Sequence, residues 1–137
     1  MIVLDTNVVS ELMKPQPDAP VRDWLTQAGD EPFGTTAVTI AEIEFGLRRL
    51  PQGRRRDDLQ SRFEAFAAAL TVLPLDDLAA RETARFRAMR AAAGLSCPPS
   101  DMMIAGIAAV AGAALATRNT RDFEGLPIPL IDPWRGR

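Results

Sequence analysis

What most constrains the fold is an alternation along the chain between short apolar runs of strand length and longer stretches with helical periodicity. Residues 2–4 form a β-branched apolar run suited to a central, buried strand. A short helix is expected over about 7–13, stopped by Pro15 and Pro17, and Val21, Trp24, Leu25 and Ala28 share one face of a second. Residues 33–36 read as another strand, bounded by Gly29 and Pro32, and 39–50 as a helix ended by Pro51 and Gly53. Leu59, Phe63, Phe66 and Leu70, spaced four, three and four apart, mark a further amphipathic helix. Residues 71–74 are extended, and Leu78, Glu82, Arg85, Phe86 and Met89 define a helix that stops at Gly94. An apolar helix over 101–112, a strand at 113–117 and an edge strand at 128–131, where Pro129 is tolerated, complete the pattern. Strands alternating with helices predict a parallel sheet covered on both faces, with ligand sites beyond the carboxyl ends of the strands.

Composition narrows the chemistry. The 137 residues, 47% apolar and 25% charged, suit one globular domain spanning 1–137, with no repeat or linker to divide it. There is no histidine, which removes Ser-His-Asp and Cys-His catalysis, histidine-based ribonuclease chemistry and histidine-containing zinc sites. The lone Cys97 rules out an intramolecular disulfide. A net charge of −2 argues against coating nucleic acid by bulk charge, so any such contact needs a local patch. No signal peptide or bilayer-length apolar segment is legible, and a cytoplasmic protein without membrane contact is expected.

Four acids stand near the ends of elements: Asp5 directly after the first strand, Glu42 in the first turn of a helix, Asp101 opening the apolar helix, and Asp122 shortly after the strand at 113–117. Each has a plain alternative. Glu42 completes a capping box with Thr39, Asp101 complements a helix dipole, and Asp122 is a turn residue near Asn119 and Thr120. Asp5 is hardest to dismiss, because a carboxylate ending a buried strand needs a partner. Were all four to meet in one cleft they would repel one another, and a divalent cation would remove that penalty. With oxygen ligands only, Mg²⁺ is expected, with Mn²⁺ as a substitute. Such an ion activates water and stabilises the leaving oxygen of a phosphodiester without a histidine base.

The surroundings of these acids carry a resemblance. Val3-Leu4-Asp5-Thr6-Asn7, Thr36-Ala37-Val38-Thr39-Ile40-Ala41-Glu42 with Gly46, Pro99-Ser100-Asp101-Met102-Met103 and Ala116-Thr117-Arg118-Asn119-Thr120-Arg121-Asp122-Phe123 occur in the order of four motifs of the PIN-domain toxins of the VapC type. The resemblance implies a three-layer α/β/α, Rossmann-like PIN domain with a five-strand parallel sheet, and an Mg²⁺-dependent endoribonuclease acting as the toxin of a toxin–antitoxin pair. It makes Asp5, Glu42, Asp101 and Asp122 the catalytic, metal-binding acids, with Thr6 and Asn119 supporting them by hydrogen bonding. Asn119 could also share or replace the role of Asp122. The implied partners are a cognate antitoxin, an RNA substrate and a second copy of the chain, with DNA reached only through the antitoxin complex. Gly106 stands where the family more often has alanine, a difference expected to loosen helix packing.

Arg118 and Arg121 flank the proposed site and are candidates for RNA phosphate contact. Arg55 belongs to a cluster (Arg48, Arg49, Arg54, Arg55, Arg56) that reads either as a solvated loop or as a track for an RNA backbone. Trp24 and Trp134 could stack on bases, although the spacing of Trp24 suits a core position. A phosphotransferase of the haloacid dehalogenase type would need an aspartate where Asn7 stands, and a receiver domain would need a late lysine, whereas Lys14 is the only lysine. The alternative of another class is an interaction protein that binds its antitoxin and modifies that partner's DNA binding, with little nuclease activity.

Overall fold

The computed structural model describes residues 1–136. The elements run β1 (Ile2–Leu4), α1 (Thr6–Leu12), α2 (Ala19–Gln27), β2 (Phe33–Thr36), α3 (Ala37–Arg48), α4 (Arg54–Ala68), β3 (Thr71–Leu73), α5 (Asp77–Ala92), α6 (Pro99–Val110), β4 (Ala114–Ala116), a 3₁₀ turn (Thr120–Phe123) and β5 (Leu130–Ile131). All strands pair in parallel in the order β3-β2-β1-β4-β5. The Ile2–Leu4 run is therefore the central strand, as its apolar character demands.

Side-chain alternation along β1 and β4 divides the interior into two cores. Val3 and its register partner Leu115 face α5 and α6, where Phe86, Met102, Ile104, Ala105 and Ala108 bury them. Leu4 and its partner Ala116 face the other way, against Val8 and Val9 of α1, Trp24 of α2, Ile43 and Leu47 of α3 and Phe63 of α4. Helices thus cover both faces and the fold has three layers. Trp24 is a core residue, meeting Phe33 edge to face at 5.6 Å. No helix of the described residues is long and apolar enough to cross a membrane.

Two local expectations are corrected. Thr39 does not cap α3: the helix begins earlier, with Thr36 as N-cap accepting from the Thr39 backbone N–H at 3.0 Å. Glu42 consequently lies in the second turn and has no capping role. Gly106, expected to loosen the packing of α6, has the opposite effect. A Cβ placed there would stand 2.7 Å from both the Ala79 carbonyl oxygen and Thr83 Oγ1, so the missing side chain is what lets α6 lie directly against α5.

Candidate active site

From β1 the chain moves outward to β2 and β3 on one side, then returns to build β4 and β5 on the other. The carboxyl ends of β1 and β4 therefore flank a topological switch point, where the connecting segments diverge and leave a crevice. Asp5 leaves β1 there and Thr117 leaves β4.

Asp5 is only 4% exposed. It is the N-cap of α1, its Oδ1 accepting from the Thr6 backbone N–H at 2.7 Å. Its Oδ2 accepts from Thr117 Oγ1 at 2.7 Å and from Asn7 Nδ2 at 3.2 Å. Burial pushes its carboxyl above the ordinary value; donors on Thr117, Thr6 and Asn7 work against that rise, and the charge of Asp122 adds to it. A carboxylate kept in a buried position by three donors is oriented rather than tolerated.

Asp101 sits in the first turn of α6, half-buried, and among the described residues its side chain makes no hydrogen bond. Its carboxyl is pushed up to about 6, first by burial and then by the charges of Asp5, Asp122 and Glu42, with Arg90 partly relieving the effect. The four predicted acids thus face one another electrostatically. Asp5 comes from the sheet edge, Asp101 from one helical layer, Glu42 from the other, and Asp122 from the 3₁₀ turn after β4. They are not drawn into a ready-made cage: among the described residues no three acidic or cysteine side chains group tightly enough to hold an ion as they stand. Carboxylate oxygens alone, mutually repelling and without nitrogen or sulfur donors, are nevertheless a donor set that suits a hard dication.

Glu42 is exposed at the rim, where Thr6 Oγ1 lies 3.1 Å from its Oε1. Behind it runs a line of threonine hydroxyls, Thr36 to Thr39 at 3.2 Å and Thr39 to Thr6 at 3.2 Å, leading from the end of β2. The two predicted supporting residues differ. Thr6 reaches Glu42 through its side chain, whereas Asn119 acts through its backbone, its N–H donating to Thr117 Oγ1 at 3.0 Å. The Asn119 side chain makes no hydrogen bond among the described residues.

Sequence reasoning missed three residues. Asn7 and Thr117 hold Asp5, and both lay inside motifs already quoted; Thr117 stands 112 positions away and cannot be matched from local pattern, whereas Asn7, two positions on, was within reach of it. Arg90, 5% exposed, donates through Nε to the Ser96 carbonyl and through Nη1 to the Glu124 carbonyl, each at 2.6 Å. It ties the loop before α6 to the segment just after Asp122. An arginine near a helix carboxyl end ordinarily reads as dipole compensation, and nothing in the sequence marked it.

The arginine cluster divides. Arg48 pairs with Glu44 at 3.3 Å, Arg49 lies over the Phe45 ring at 5.4 Å, and Arg56 donates to the Leu50 carbonyl at 3.4 Å. Arg55 instead lines a groove of about 320 Å³ together with Lys14, Thr6 and Glu42. Arg118 and Arg121 line a separate basin with Asp122.

This architecture has relatives. A PIN domain family profile matches residues 2–128. The chain is 41% identical to the VapC ribonuclease Y4jK of Sinorhizobium fredii over 98% of each sequence. It superimposes on the crystal structure of FitAcB from Neisseria gonorrhoeae with a TM-score of 0.87 and 33% identity, covering 98% of this chain and 99% of that one. It also superimposes on VapBC-5 of Mycobacterium tuberculosis, a member of the VapBC family of toxin–antitoxin systems, with a TM-score of 0.73 and 28% identity over 94% and 95% of the two chains. With a matching profile over nearly its whole length, a closely similar relative and the same fold, the chain belongs to the PIN domain family.

Proposed function

We propose that this protein is an endoribonuclease and the toxin of a toxin–antitoxin pair, hydrolysing RNA phosphodiester bonds in the cleft of Asp5, Glu42, Asp101 and Asp122 with a divalent cation. The observation that carries this reading is the convergence of four carboxylates from four separate stretches of chain at the switch point, where burial first and then the charges of Asp5, Asp122 and Glu42 push Asp101 to about 6. Repulsion of that kind destabilises a fold unless a cation offsets it. The named activity of the Sinorhizobium relative and the toxin–antitoxin assignment of the Mycobacterium structure point the same way.

Asp5, Glu42, Asp101 and Asp122 would hold Mg²⁺, with Mn²⁺ as a substitute. When bound, the dication supplies a Lewis acid that activates water and offsets charge on the leaving oxygen. The chain's own residues prepare the site for it. Thr117, Asn7 and the Thr6 N–H aim the Asp5 carboxylate, and the Thr6 hydroxyl steadies Glu42 at the rim. Below about pH 6 the Asp101 carboxyl keeps its proton, so the complete set of charges is present only above that value. Arg118 and Arg121 on one flank and Arg55 on the other supply guanidinium groups for the RNA backbone.

An antitoxin would find a fitting surface beside the site: the groove containing Arg55, Lys14, Thr6 and Glu42 is also lined by the apolar side chains of Met13, Ile43, Leu47 and Leu59. A second copy of the chain would find exposed apolar side chains at Leu78 and Val110, which share a shallow groove between α5 and α6. DNA would be reached through the antitoxin, since the chain carries a net charge of −2.

Purified, antitoxin-free protein is expected to cut single-stranded RNA with Mg²⁺ or Mn²⁺, to stop when EDTA is added, and to lose rate in acid, as protons compete with the cation for Asp101. Gel analysis of end-labelled RNA reads all three. An inert protein, on varied RNAs and with both metals, would favour the interaction protein over the nuclease.

A further inference from the structure

Asp122 borders a second space, an open basin of about 620 Å³ whose wall includes Arg118, Arg121, Glu124, Asp132 and Arg135. Arg135 is paired with Asp132 at 3.7 Å. Arg118 and Arg121, by contrast, have no carboxylate within ion-pair distance among the described residues, although Asp122 and Glu124 line the same basin.

Arg118 is unpaired but held at both ends. Its backbone N–H donates to Asn7 Oδ1 at 3.1 Å, and the amide nitrogen of the same Asn7 side chain donates to Asp5 Oδ2 at 3.2 Å. One asparagine side chain therefore sets both the Arg118 backbone and the Asp5 carboxylate. At its other end the guanidinium lies 4.9 Å from the centre of the Trp134 ring. That ring packs against the core on the α1–α4 side, and its indole N–H donates to Asp18 Oδ2 at 3.1 Å. Asp18 is fixed in turn, its backbone N–H donating to the buried Glu11 at 3.0 Å. Trp134 is thus engaged by Arg118 and Asp18, which removes it as a free platform for a base.

We propose that Arg118, positioned by Trp134 and assisted by Arg121, is a phosphate subsite that grips the RNA strand at a backbone phosphate neighbouring the one that is cut. The inference rests on the nuclease reading above and adds to it a fixed cationic contact on the Asp122 side. An exposed guanidinium that is stacked, tethered at its base and left unpaired is organised in advance for a bidentate anion. In a chain of net charge −2, a strand can be held only by such a local arrangement. A phosphodiester is the anion the adjoining cleft would process.

The test is binding of a fluorescein-labelled single-stranded oligoribonucleotide in EDTA, followed by anisotropy from low to moderate salt. Arg118→Ala should weaken binding about tenfold at low salt and flatten the slope of log K against log salt by about 0.7, the loss of one phosphate contact on a single strand. Arg118→Lys should keep the slope while binding less tightly, because a point charge replaces a planar fork. Trp134→Leu should weaken binding by about threefold with the slope unchanged, Trp134→Phe should restore much of that loss, and Arg118→Ala combined with Trp134→Leu should be no worse than Arg118→Ala alone. Parental affinity and slope in Arg118→Ala, or effects of the two residues that simply add, would overturn the subsite. So would wild-type protein that does not bind the oligoribonucleotide, whereas the nuclease reading is judged separately by cleavage of RNA by the same preparation in Mg²⁺.

Discussion

Asp101→Asn is expected to reduce RNA cleavage by about a thousandfold while the protein remains folded, because it removes one charge from the proposed cation's ligand set at nearly constant volume. Initial rates on end-labelled RNA in Mg²⁺ measure the loss. The same substitution has a second consequence that a structural defect would not produce. The folded-state pKa of Asp101 is raised from 3.8 to about 6, so between those values the folded chain binds protons that the unfolded chain has released. The contribution of this group to stability is therefore fully present below the lower value and is lost as pH rises through about 6. Asparagine stays neutral throughout and escapes the loss. In metal-free buffer Asp101→Asn should be more stable than wild type above pH 6 by about 1–2 kcal/mol, a figure held down by solvent screening of a half-buried carboxylate. The two proteins should converge near pH 4. Thermal melts across that range would contradict the account if the variant were less stable at pH 8 or the gap did not close in acid.

Gly106→Val is expected to destabilise the fold by about 3 kcal/mol, lowering the melting temperature by roughly 10 °C. The cost arises because the first added carbon would already stand 2.7 Å from the Ala79 carbonyl oxygen, an atom of the α5 backbone that cannot rotate away. Thr83 Oγ1, also at 2.7 Å, is committed to the same carbonyl by a 2.8 Å hydrogen bond. Gly106→Ala should show the same effect at about half the size. Pushing α6 off α5 moves the helix that carries Asp101, so cleavage should fall with stability. A Gly106→Val protein that melts at the parental temperature would mean that the two helices have room to spare.

The difference between what was legible in the sequence and what was not follows from distance along the chain. The strand at 33–36 and the extended stretch at 71–74, of which the strand takes Thr71–Leu73, were readable because turn residues bound or close short apolar or β-branched runs. The start of α4 was not: helix begins at Arg54, but its first turn is arginine-rich and carries no apolar period, so only the stretch from Leu59 onward shows the pattern. The α3 cap was read on Thr39 because Thr39 and Glu42 have capping-box spacing, but β2 ends at Thr36 and the helix starts directly after it, with Thr36 as its cap. Likewise the final strand shrinks to Leu130–Ile131, with the Pro129 carbonyl still accepting from Leu115 at 2.9 Å. At the site, each acid was legible as a type at the end of an element. The donors that orient Asp5 were not, because Thr117 reaches it only after the sheet has closed. Gly106 shows the same limit in reverse: a glycine in a helix reads as a defect until the neighbouring helix is seen lying against it.

The most direct test of the central claim is a titration of metal-free protein with Mn²⁺ at pH 7.5, followed by electron paramagnetic resonance of the free ion and by calorimetry. Wild type is expected to take up Mn²⁺, to compete it off with Mg²⁺, and to be stabilised against heat by both, while Asp5→Asn and Asp101→Asn each weaken uptake by about tenfold or more. Equal uptake by wild type and by a variant in which Asp5, Glu42, Asp101 and Asp122 are all changed to amides would place the ion elsewhere and contradict the account.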